Sequence, residues 1–301
     1  MTVDIEAVDR WRGCLLGLAC GDAVGTTVEF SARGTFPPVT DLVGGGPFGL
    51  VAGEWTDDTS MALCLATSLV HCRGTDLHDQ ISRYVNWWQW GYLSATGDCF
   101  DIGMTVRAAL NRFLTTKDPV AGSTDPQTAG NGSLMRLAPV AMWFAPDIEA
   151  VRHHARQSSL TTHAAPEALD CCELYAELLA RALAGAPRDA LLSATAPAAA
   201  SARVREIAEG NYLTKTREQV EGSGYCVASL EAALWCFATT DSFEAAVLAA
   251  ANLGDDADTT AAIVGQIAGA HYGVAAIPAQ WRAKLKLRDE IDALACALHA
   301  R

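Results

Sequence analysis

Gly254-Asp255-Asp256-Ala257-Asp258-Thr259-Thr260 runs directly into Ala261-Ala262-Ile263-Val264-Gly265-Gln266-Ile267-Ala268-Gly269. An acidic box followed by small apolar residues predicts a buried helix over 258–271 with the box at its N-terminus. Glu54-Trp55-Thr56-Asp57-Asp58-Thr59 repeats the pattern and is followed by Met61, Ala62, Leu63, Leu65 and Ala66. One carboxylate at a helix start caps N–H groups and suits the helix dipole. Two carboxylates with a hydroxyl exceed what capping needs. If the boxes converge, their like charges destabilise one another unless a cation lies between them. Oxygen donors without clustered His or Cys suit a hard divalent cation, Mg²⁺ or Mn²⁺. The candidate metal ligands are therefore Thr56, Asp57, Asp58, Asp256, Asp258 and Thr259, with Asp255 expected in an outer shell or facing solvent.

The remaining chain reads as helical throughout. Helices are expected at about 4–25, 57–72, 76–90, 100–114, 133–143, 148–158, 166–184, 187–193, 199–209, 226–238, 241–252, 258–271 and 278–298. No stretch alternates as a strand would, and no Pro-, Gly- or Ser-rich linker divides the chain, so one all-α domain over 1–301 is expected. Glycines recur every four residues at 13, 17, 21 and 25, and again at 265, 269 and 273. Glycine costs a helix roughly 1 kcal/mol relative to alanine. Repetition on one face predicts close approach of another backbone.

Half of the 301 residues are hydrophobic and only 7% are aromatic, which favours close-packed helices. The net charge of −13 disfavours general nucleic-acid binding and anionic membranes. The ten cysteines form no C-x-x-C pair and mostly sit in apolar runs, as reduced buried thiols do. The start, Met-Thr-Val-Asp-Ile-Glu, lacks a cationic signal-peptide region, and the run 14–28 is too short and too interrupted to span a bilayer. A cytoplasmic monomer is expected.

Two long loops, 31–56 and 115–132, adjoin polar motifs, which suits function. Gly130-Asn131-Gly132-Ser133-Leu134-Met135-Arg136 is a glycine-flanked turn entering a helix, a place where N–H groups can meet a pyrophosphate. Taken alone it reads equally as an N-cap at Asn131 or Ser133. Glu29, between an apolar run and the first loop, reads as a solvated glutamate or as a general acid/base beside the metals. Asp101 in Cys99-Phe100-Asp101-Ile102-Gly103 reads as an N-cap or a site residue. His163, in Thr161-Thr162-His163, reads as structural or ligand-facing. Gly222-Ser223-Gly224-Tyr225-Cys226-Val227 offers an aromatic that could stack on a flat base.

Together these motifs, with Arg12-Gly13-x-x-x-Gly17, Gly21-Asp22-Ala23-Val24-Gly25 and Asn252-x-Gly254-x-Asp256-x-Asp258-Thr259 in order along 12–273, resemble the ADP-ribosylglycohydrolase family. The resemblance implies a compact helical bundle with a binuclear Mg²⁺ or Mn²⁺ centre in a cleft. It implies hydrolysis of the bond at ribose C1 of an ADP-ribosyl group, on a modified protein or a small-molecule ADP-ribose conjugate. By the same resemblance Thr56, Asp57, Asp58, Asp256, Asp258 and Thr259 match the metal ligands, and Glu29 the loop glutamate near the scissile bond. Gly130, Asn131, Gly132, Ser133, Leu134 and Met135 match the phosphate cradle. His163, Gly224 and Tyr225 match ribose and adenine contacts, and Asp101 matches an aspartate of arginine-directed members. Ala257 and Asp255 depart from the common form Gly-Gly-Asp-Thr-Asp-Thr. Serine, acyl and free small-molecule linkages stay open beside arginine. Two other readings of the same residues are a catalytically silent ADP-ribose binder and a two-metal phosphoesterase or pyrophosphohydrolase.

Overall fold

The computed structural model describes residues 5–197 and 200–301. Its α-helices are α1 (Ile5–Gly25), α2 (Asp57–Cys72), α3 (Leu77–Trp90), α4 (Met104–Thr116), α5 (Ala138–Phe144), α6 (Ile148–Leu160) and α7 (Pro166–Leu183). There follow α8 (Ala202–Ala208), α9 (Cys226–Thr239), α10 (Phe243–Ala251), α11 (Ala257–Tyr272), α12 (Ala279–Lys284) and α13 (Arg288–His299). Among the described residues there are isolated β-bridges but no named strand, as the missing alternation predicts. None of the described helices is long and apolar enough to cross a membrane.

The centre of the fold is the antiparallel pair α1 and α11. A Cβ built on Gly13, Gly17, Gly21 or Gly25 would lie 2.2, 2.3, 2.1 or 2.4 Å from the carbonyl oxygen of Gly269, Gly265, Ala261 or Ala257. Built on Gly265 or Gly269, it would lie 2.2 or 1.9 Å from the oxygen of Gly17 or Gly13. The glycine ladders therefore face each other, and the backbones meet at a distance no side chain fits. This contact runs to the N-terminal end of α11, where the second acidic box lies. Buried apolar residues of α7, α9 and α10 surround the pair, including Tyr175, Leu230 and Val247.

Five expected helices differ, the one at 100–114 running instead from Met104 to Thr116. Residues 278–298 form two helices, because Leu287 adopts the left-handed region (φ 52°) and Lys286 turns its N–H to Gly53 O at 2.9 Å. Residues 133–137 are turns, and α5 starts at Ala138. Pro139 lacks an N–H and so fits only the first helical turn. The expected 187–193 helix is a 3₁₀ turn over Arg188–Leu191. Of the expected 199–209 helix, 202–208 is observed, while residue 199 lies outside the described residues, as does residue 4 of the first expected helix.

Candidate metal centre and cleft

The two boxes converge, and neither caps its own helix. Thr56 is the N-cap of α2 and Asp256 that of α11, yet neither side chain accepts a bond from its own first turn. Their oxygens face one another across the helix starts. Thr56 Oγ1 lies 2.9 Å from Asp22 Oδ1, 3.0 Å from Asp58 Oδ2 and 3.2 Å from Asp258 Oδ2. A hydroxyl has one hydrogen and can satisfy only one of these three acceptors. Thr259 Oγ1 donates to Asp58 Oδ1 at 3.1 Å. Asn131 Nδ2 donates to Asp256 Oδ2 at 2.6 Å and to Ser229 Oγ at 3.1 Å, tying the glycine turn to the second box.

Two overlapping groups of carboxylates share Asp258. One oxygen each of Asp22, Asp58 and Asp258 lie within 4.8 Å of one another, and so do those of Glu29, Asp101 and Asp258. Burial and neighbouring carboxylates push Asp57, Asp58 and Asp258 well above the usual carboxylate range. Burial, then Asp101, Asp256 and Asp58, push Glu29 up to about 10. Burial, then Asp22 and Asp256, push Asp101 to about 7. Asp258 Oδ1 and Glu29 Oε2 are buried without a hydrogen-bond partner. Buried polar atoms in native proteins have partners, so these orphans fit a hard cation that the all-oxygen donor set could hold.

Glu29 is held by its loop. Phe30 donates its N–H to Asp255 O at 2.7 Å, and Asp255 returns its own to Ser31 O at 2.8 Å. Phe30 and Asp255 both have positive φ, 61° and 55°. The left-handed backbone at Asp255 is one that glycine adopts most readily, and the Asp255 side chain is exposed at the cleft rim, as expected. Asp101 is also left-handed (φ 58°) and caps nothing, since Gly103 is the N-cap of α4. Its carboxylate instead lies in the cleft beside that of Glu29, one oxygen of each within 4.8 Å of the other.

A cleft of about 980 Å³ extends from these acids to the glycine turn. Its walls include Glu29, Asp57, Asp101, Gly130, Gly132, Met135, His163, Gly224, Asp256, Asp258 and Thr259, and no Lys or Arg. An adjoining hollow of about 400 Å³ passes Gly130 and Gly224 to Tyr225. Two residues of the turn direct their side chains away from the cleft. The Ser133 side chain lies beneath the cleft, 3.3 Å from Cys172 Sγ and accepting from Ser159 Oγ at 2.8 Å, and Leu134 is fully buried in the core. The turn is also more occupied than expected. The N–H groups of Gly130, Asn131, Leu134 and Met135 bond to main-chain carbonyls, so the free donors are those of Gly132 and Ser133. The turn is buried rather than outside the core, because the His163 ring packs on it. A Cβ on Gly132 would sit 2.7 Å from His163 Cε1. Tyr225 is half-buried, its hydroxyl bonded to Glu167 and its ring under Arg203 at 5.7 Å.

Two residues gain roles the sequence did not assign. Asp22 is fully buried and accepts bonds from Thr56 and Thr59. Arg136 is fully buried below the turn. It donates to Gly132 O at 2.8 Å and Thr162 Oγ1 at 2.7 Å, and lies 4.6 Å over the Tyr84 ring, with no carboxylate among its hydrogen-bond partners. Their positions within the quoted motifs were the available signal.

A family model described as ADP-ribosylglycohydrolase matches residues 2–301. The chain belongs to the ADP-ribosylglycohydrolase family. It is 47% identical over 298 residues to the ADP-ribosylarginine hydrolase Tri1 of Pseudomonas putida (strain GB-1), covering 98% of this chain and 79% of that one. It is 30% identical to the ADP-ribosyl-[dinitrogen reductase] glycohydrolase of Rhodospirillum rubrum, covering 95% of each. A solved structure titled "ADP-ribosylglycohydrolase-related protein complex" superposes with a TM-score of 0.88 at 45% identity over 98% of both chains. As an ADP-ribosylglycohydrolase, this chain is a hydrolase of glycosyl bonds to ADP-ribose.

Proposed function

We propose that this protein removes ADP-ribose from arginine side chains of modified proteins, using two divalent cations, Mg²⁺ or Mn²⁺, in one domain spanning the chain. The observation that carries the reading is the pair of boxes that cap nothing and instead converge, with Thr259 Oγ1 on Asp58 Oδ1 at 3.1 Å, Thr56 Oγ1 3.2 Å from Asp258 Oδ2, and Asp258 Oδ1 left without a partner. Thr56, Asp57, Asp58, Asp256, Asp258 and Thr259 would hold the cations. The cations would supply Lewis acidity and a template for the ribose diol.

The remaining work falls to the chain itself. The free N–H groups of Gly132 and Ser133 donate to the diphosphate, with Arg136 adding positive charge beneath them. Asp101 and Glu29 lie on a cleft wall without Lys or Arg, so a guanidinium meets acidic partners and no like charge there. This charge match, with the 47% identity to an arginine-directed relative, favours the arginine linkage. Glu29, at the cleft wall beside Asp101, gives a proton to the leaving guanidine nitrogen as the C1–N bond breaks. Water adds to C1, and Glu29 recovers a proton from it.

Incubation with ADP-ribosylarginine protein tests the reading. Release of ADP-ribose and unmodified arginine is expected, lost on exhaustive chelation and restored by Mg²⁺ or Mn²⁺. Release of AMP would indicate a pyrophosphohydrolase. Binding without release would indicate a silent relative, and full activity after chelation would refute the metal requirement.

A further inference from the structure

We infer that Asp22 is a positioning residue: it caps α2 from a neighbouring helix and so turns the Thr56 hydroxyl lone pairs toward the cation. The inference rests on the metal-dependent reading above and assigns Asp22 a part in it that is not ligation. Asp22 lies on α1 and is fully buried. Its Oδ1 accepts from Thr56 N and Thr56 Oγ1, both at 2.9 Å. Its Oδ2 accepts from Thr59 N at 3.0 Å and Thr59 Oγ1 at 2.6 Å.

Asp22 is close enough to Asp58 and Asp258 to share a cation with them. Its chemistry excludes that role. An ionised carboxylate offers about four lone-pair sites, and four donors take them. Asp22 is saturated, whereas Asp258 keeps an orphaned oxygen.

The bonds replace an ordinary cap. A threonine N-cap normally accepts from the N–H two or three residues on. Here Thr59 is that third residue, and its N–H goes to Asp22. Thr56 Oγ1 is thereby released from capping. Its single hydrogen, drawn to Asp22, points away from Asp58 and Asp258. Its lone pairs then face the space those carboxylates surround. The glycine contact makes this possible, since Gly21 and Gly25 flank Asp22 and bring α1 against the start of α11.

Mn²⁺ titration by calorimetry, with melting of the metal-free protein, tests the inference. Asp22→Asn presents an NH₂ group to one pair of donors. We expect Mn²⁺ affinity to fall about tenfold or more, the size of one charge-assisted hydrogen bond. We expect kcat to return toward wild type at saturating Mn²⁺, because Asp22 touches no reacting atom. Should Asp22→Asn fail to fold, Thr59→Val decides: it removes one donor at nearly constant volume and should weaken Mn²⁺ binding, while Thr59→Ser keeps the hydroxyl and should restore it. A lower melting temperature with Mn²⁺ affinity within twofold of wild type would reduce Asp22 to a structural cap and overturn the inference. So would a kcat that stays low at saturating Mn²⁺. Wild-type protein that binds no Mn²⁺ would instead refute the metal reading itself.

Discussion

Gly17→Ala places one methyl group where α1 and α11 touch. The new Cβ would lie 2.3 Å from Gly265 O and 3.0 Å from Phe243 Cε2. An ordinary carbon–oxygen contact is roughly 1 Å longer, and the obstacle is helical backbone, which does not yield like a side chain. Overpacking of this kind costs about 1–3 kcal/mol. The better helix propensity of alanine returns about 1 kcal/mol. With the rigid neighbour setting the cost near its upper end, the net loss is about 2 kcal/mol. Unfolding entropy of about 2.1 cal/mol/K per residue gives about 0.6 kcal/mol/K for 301 residues, hence a fall of about 3 °C in melting temperature. Calorimetric melting in the presence of chelator measures it. Gly103→Ala is the control, since a Cβ there meets nothing within 4 Å. Gly265→Ala makes the reciprocal clash at 2.2 Å with Gly17 O. Once one methyl has parted the helices, the second finds room, so the double variant should lose less than the sum of the two. A Gly17→Ala protein that melts at or above the wild-type temperature would show that the backbones do not meet. Strict additivity would show that the two glycines do not share one contact.

Two further outcomes follow from His163 and the turn it packs on. Gly132→Ala should push the His163 ring away and weaken ADP-ribose binding while leaving Mn²⁺ affinity unchanged. Titration of both ligands checks this, and unaltered ADP-ribose affinity would place the diphosphate elsewhere. Burial, then Arg136, hold His163 down to about 3, so the folded state keeps it neutral while the unfolded chain protonates it near 6.5. Its contribution to stability is therefore complete above pH 6.5 and is lost as pH falls from there toward 3. His163→Gln should flatten the dependence of stability on pH across that window. Denaturant unfolding at several pH values measures this, and an unchanged slope would refute it.

The features legible in the sequence were those written as local pattern. Helical spacing located most helices, and the four-residue glycine repeat announced a backbone contact. What local pattern could not show was which helix completes another. Asp22 reads as one polar residue in a glycine-rich helix, and its role exists only once α2 is packed beside it. Asp101 looks like a cap because aspartates often are, but its left-handed backbone turns it to Glu29 instead. Leu287 breaks the last expected helix without Gly or Pro to mark the place. Ser133 and Leu134 sit in a motif whose Gly130, Asn131, Gly132 and Met135 line the cleft, while their own side chains face away from it.

Arg136 gives the cleft a polarity. A guanidinium with no carboxylate partner lies under the glycine turn, while Glu29, Asp57, Asp101 and Asp258 gather toward the other end. In a protein of net charge −13, this is a local reversal of sign. A molecule negative at one end and positive at the other therefore meets opposite fields along one channel. The positive end is set by a buried residue that a ligand in the cleft would not have to touch.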